Sequence, residues 1–96
     1  MEKEADFEEG SGYVYIISDG SSFKIGVSKD PLSRMKQLQT GNKNVLTLEH
    51  CELKNEPYKV EKFAHRHLQS KKGEGEWFEC TYQEARIAIL LCTEYD

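Results

Sequence analysis

The sequence predicts a small α/β (α+β) domain: a three-stranded antiparallel sheet with helices packed on it, in the order β-β-α-β-α-(short β)-α. Three observations carry this. Two β-rich runs, YVYIIS at Tyr13–Ser18 and FKIGVS at Phe23–Ser28, flank Asp19-Gly20, and Asp-Gly between such runs is a strong short-range hairpin signal. Apolar residues then recur at helical spacing in three later stretches, each opened by a helix-start signal. Ninety-six residues are one domain's worth of chain, enough to bury a modest core without disulfide or metal.

With Asp19-Gly20 as a two-residue turn, Ser18 faces Ser21 and Tyr15 faces Lys24, their Cβ atoms roughly 5 Å apart. Val14 and Ile16 then share an apolar face with Phe23, Ile25 and Val27, while Tyr13 and Tyr15 meet Lys24, Gly26 and Ser28 on the other. Asp30-Pro31 puts an acceptor at an N-cap and proline at the first helical position. That helix should run to about Thr40 and stop at Gly41-Asn42, with Leu32, Met35 and Leu38 as its stripe. Val45–Leu53 alternates loosely and reads as the third strand. Asn55 opens a second helix with Pro57 in its first turn and Val60, Phe63, Ala64, His67 and Leu68 as its inner face. Glu61 and His65, four apart, share another face. Lys71–Gly75 reads as a flexible loop and Glu76–Cys80 as a short extended piece around Trp77 and Phe78, both core residues. Thr81 with Glu84 three residues on is a capping box, and Ala85, Ala88, Ile89 and Cys92 follow as the last helix's stripe. Ile25 and Phe63 should be core. Three strands cannot cover themselves, so the helices should lie on the hairpin's apolar face and leave the other open for a site.

Met1–Gly10 is acidic and aperiodic and reads as a disordered tail, leaving residues 11–96 as a single domain. The first nine residues carry −4, and the remainder is neutral overall but segregated: Lys24–Lys43 carries +4 and Lys59–Lys72 another +4. Segregation of this kind suits a phosphate-binding face. No apolar run approaches the ~20 residues of a membrane span, and no signal segment opens the chain. Cys51, Cys80 and Cys92 are odd in number with no CxxC pair, which points to free thiols in a reducing, intracellular setting (cytoplasm, or nucleus in a eukaryote). No recognised zinc spacing occurs.

Taken together, these residues resemble the GIY-YIG nuclease superfamily over about Gly12 to Phe78. The first tripeptide stands as Tyr13-Val14-Tyr15 and the second as Lys24-Ile25-Gly26. Arg34 takes the helix-arginine position and Glu61 the later helix-glutamate position. Glu61 with His65, and Gly75-Glu76-Trp77-Phe78, also resemble a phage-type branch carrying KIG in place of YIG and a terminal GEWF. Tyr13 replaces the family's first glycine, Lys24 replaces its second tyrosine, and no asparagine follows Glu61.

The resemblance implies metal-dependent endonuclease hydrolysis of DNA phosphodiester bonds, with Tyr15, Lys24, Arg34 and Glu61 catalytic. Glu61 would offer hard oxygens to Mg²⁺ or Mn²⁺. Arg34 would hold a phosphate oxygen. Tyr15 would take a proton from the attacking water, its phenol pKa of about 10 brought down by the neighbouring Lys24 charge. Holding the attacking water or a phosphate is the alternative role for Lys24. Tyr13, Gly26, Ser28 and His65 would support the site, and Lys29, Lys36, Lys43, Lys62 and Arg66 would contact DNA, RNA being the other candidate. A domain this small would draw affinity from a protein partner or a second copy of itself. Two other readings stay open: a nucleic-acid-binding module on the same scaffold that cleaves weakly or not at all, and a phage-type protein-interaction or inhibitor protein.

Overall fold

The computed structural model describes residues 10–92. All but Gly10 of the expected tail lies outside that range. Three strands form one antiparallel sheet: β1 (Gly12–Ser18), β2 (Phe23–Ser28) and β3 (Thr47–Lys54), in the spatial order β2-β1-β3. Three helices follow the expected order: α1 (Pro31–Gln39), α2 (Pro57–His67) and α3 (Tyr82–Leu90), with a 3-10 turn at Gln69–Lys71.

The hairpin register differs from the expected one by two residues. Asp19 Oδ1 accepts from the backbone N–H of Ser21 (2.9 Å) and Ser22 (2.7 Å), and Asp19 N–H donates to Ser22 O (3.1 Å). The Asp19 side chain thus organises a four-residue loop, with Gly20 at φ 103°. Ser18 therefore faces Phe23, and Tyr15 faces Gly26 instead of Lys24, which pairs with Ile17. Because the slip is an even number, each side chain keeps its predicted face.

The helix termini follow local capping chemistry. Asp30 accepts from Ser33 N–H (3.2 Å) ahead of Pro31. Thr81 and Glu84 form the reciprocal capping box, at 3.0 and 2.9 Å. The N-cap of α2 is Glu56, one residue beyond the expected start, and its side chain makes no capping bond. The short β element reduces to Phe78, whose backbone exchanges two hydrogen bonds with Phe23 on the outer edge of β2 (2.9 and 2.7 Å).

Both faces of the sheet are covered, which corrects the expectation of an open one. Val14, Ile16, Ile25 and Val27 pack with Val60, Ala64, Leu68, Phe78, Ala85, Ala88 and Ile89, so α2 and α3 lie on the apolar face. On the other face Tyr15 and Ile17 form a second core with Leu46, against which Met35 and Leu38 of α1 pack. Ile25 is core as expected, but Phe63 is only partly buried, and His67 is exposed and stacked on it at 6.2 Å. The inner stripe of α2 is Pro57, Val60, Ala64 and Leu68, the last three as expected. None of the three cysteines is in a disulfide; Cys92 lies in the core, Cys80 is half-buried and Cys51 exposed.

Candidate active site

Three consecutive residues of β2, Lys24, Ile25 and Gly26, gather side chains from three other elements. Tyr15 leans from β1 across to Gly26, so that a Cβ at Gly26 would collide with the phenol hydroxyl. Glycine here is a packing requirement. From α2, His65 Nε2 lies 2.8 Å from the carbonyl oxygen of Ile25. A carbonyl only accepts, so Nε2 carries the proton and a neutral ring leaves Nδ1 as an acceptor. The His65 ring also meets Phe78 edge-on at 5.1 Å. Phe78 pairs with β2 at Phe23 and His65 at Ile25, so together they occupy the outer edge of the sheet.

Glu61, one turn before His65 on α2, shares this corner. Burial pushes its carboxyl above the ordinary glutamate value; the His65 and Lys24 charges oppose the shift, and the carboxylate of Glu76 adds to it. One half-buried carboxylate therefore feels Lys24, His65 and a second carboxylate together. Lys24 is itself largely covered. Its Nζ stands 3.5 Å from Glu76 Oε1 and 6.0 Å from the centroid of the Trp77 ring.

The other expected residues are placed differently. Arg34 donates through Nη1 to Gln37 Oε1 at 3.0 Å, within its own helix. Ser28 Oγ accepts from Asp30 N–H at 2.9 Å and serves the entry to α1. Tyr13 is half-buried between Ser28 and Leu53. Lys29, Lys36, Lys43, Lys62 and Arg66 are all exposed. Lys36 belongs to α1, whereas Lys62 and Arg66 belong to α2. The two positive segments thus lie on opposite sides of the sheet and do not form one continuous face.

Sequence reasoning missed Glu76 as a site residue. Its signal was available, since it is the charged member of Gly75-Glu76-Trp77-Phe78. What could not be read was that the loop folds back against Lys24 from 52 positions along the chain. Trp77, expected in the core, is half-buried against the second cluster. Among the described residues no three His, Cys, Asp or Glu side chains form a metal cage. A cation here would have the carboxylate oxygens of Glu61, with water completing its shell, which suits Mg²⁺ better than a closed structural site.

A profile of the T5orf172 domain family matches residues 12–92. No curated protein and no solved structure matches the chain. No helix among the described residues is long and apolar enough to cross a membrane.

Proposed function

The chain belongs to the T5orf172 domain family, a phage-type, nuclease-associated family, and from that membership we propose that it is a metal-dependent GIY-YIG-type endonuclease that hydrolyses DNA phosphodiester bonds. The observation that supports this reading is that His65 is bonded to the edge of β2 at Ile25, the residue after Lys24, with Glu61 one turn before it on α2. Mg²⁺ or Mn²⁺ held by Glu61 would supply Lewis-acid polarisation of the phosphate and stabilise the leaving oxygen.

The chain's own groups divide the remaining work. Lys24 brings a positive charge to a largely covered position, where attraction for a phosphate oxygen is stronger than in open water. His65 is held in one tautomer by Ile25, so its Nδ1 can accept a proton or a hydrogen bond at a fixed place. Tyr15, its hydroxyl held against Gly26, would take the attacking water's proton from that fixed place. Arg34 would exchange its bond to Gln37 for a phosphate oxygen.

The test is nicking of supercoiled plasmid with Mg²⁺ or Mn²⁺. Wild type should convert supercoiled to open-circular DNA. Glu61→Ala and Lys24→Met should each lower the rate by roughly 10²-fold or more. Plasmid left intact by wild type at high protein concentration with both metals sinks the proposal. The burial of Tyr15, 2% exposed, together with the Arg34–Gln37 bond, favours a second reading: a module that binds DNA without cutting it. A gel shift that survives Glu61→Ala, with no nicking by wild type, would select that reading.

A further inference from the structure

We propose that the carboxylate of Glu76 occupies the seat on Lys24 that a DNA phosphate oxygen takes, so that this chain carries its own competitor for substrate. The inference rests on the DNA-binding reading above and goes beyond it, because it assigns Glu76 a role in setting affinity.

The loop that delivers Glu76 is held at both ends. Gly73 N–H donates to Trp77 O (2.7 Å), Trp77 N–H to Glu74 O (3.2 Å) and Glu79 N–H to Lys71 O (2.7 Å). Gly75 takes φ 64°, and Phe78 is locked to Phe23 on the sheet edge. Glu76 therefore sits at the tip of a tight loop anchored to β2, on the strand that carries Lys24.

The pair itself is poorly suited to a purely structural role. Its separation of 3.5 Å exceeds the ~2.7–2.9 Å of a strong charge-assisted bond, and the Glu76 side chain is 66% exposed against 13% for Lys24. An exposed, long ion pair contributes little to stability. The fold thus holds an anionic oxygen against Lys24 with a pair that adds little to stability. A phosphodiester oxygen has the same charge and accepts from the same donor, and two anions cannot share one ammonium at contact distance without repulsion. Binding of DNA must then displace Glu76, and the loop tip yields easily because its side chain is mostly in water.

The experiment is binding of a short DNA duplex in EDTA at low salt, so that cleavage plays no part. Glu76→Gln should bind roughly three- to tenfold tighter than wild type, with an unchanged urea midpoint. Glu49→Gln, an exposed charge change on β3, reports the general effect of one fewer negative charge and should gain less. In a Lys24→Met background, Glu76→Gln should give no more than that general gain. Equal gains for Glu76→Gln and Glu49→Gln, or a Glu76→Gln gain that persists without Lys24, overturn the inference while leaving the DNA-binding reading intact. Absence of binding by wild type and every variant overturns that reading and takes this inference with it.

Discussion

Gly26 shows how much of the site depends on the absence of a side chain. The Tyr15 ring fills the space a Cβ would need, and it cannot swing away because it is buried under α1 in the second core. Gly26→Ala should therefore destabilise the domain by about 1–3 kcal/mol through overpacking. Gly41→Ala, where nothing lies within 4 Å, should be near neutral. Urea unfolding of both variants checks the difference, and equal midpoints would mean that Tyr15 does not lie across β2. The sequence put Gly26 on the same face as Tyr15, but it named the wrong neighbour, Lys24 instead of Gly26, for Tyr15. Asp-Gly is a hairpin signal that does not specify loop length. Two backbone N–H groups bonded to the Asp19 carboxylate made the loop four residues, and nothing in the residue pattern distinguishes that from two.

At the scale of elements, the helix ends were legible because capping is local: Asp30, Pro31, Thr81 and Glu84 act within one turn of themselves. The inner face of α2 was legible at Val60, Ala64 and Leu68, which are buried as expected, but not at its margin, where Pro57 is buried, Phe63 is only partly covered and His67 is exposed. With that face inward, His65 is bonded to the β2 edge and Glu61 lies one turn before it. Phe63 is left partly buried and stacked on exposed His67. Phe78, 1% exposed and bonded into β2, belongs fully to the core. Phe78→Ala should accordingly cost about 3–5 kcal/mol, whereas Phe63→Ala should cost about 1–2 kcal/mol. Chemical denaturation that gave Phe63→Ala the larger loss would reverse the assignment of the α2 face.

For the whole molecule, the decisive feature is that α1 and α2 lie on opposite faces of one thin sheet. Charge counting along the chain found two positive segments but could not say that the sheet lies between them, since only topology decides which face a helix takes. The arrangement changes how DNA must be engaged. Lys36 and Lys43 stand on the α1 side, Lys62 and Arg66 on α2, and the candidate site lies at the β2 edge where the two sides meet. A duplex laid against either broad face would meet only one positive segment. A duplex presented to the edge meets both, with its phosphates directed at Lys24. Phosphate contacts release counterions in proportion to their number, about 0.9 per contact in the slope of log K against log salt. Edge-on binding therefore predicts that Lys36→Ala with Lys43→Ala, and separately Lys62→Ala with Arg66→Ala, each reduce the slope by about two, and that all four changes reduce it by about four. Salt titrations of duplex affinity in EDTA measure this without cleavage. A slope that responds to one pair alone would place the DNA on a single face, and the residues at the β2 edge would then have to reach their phosphate from beyond the contact surface.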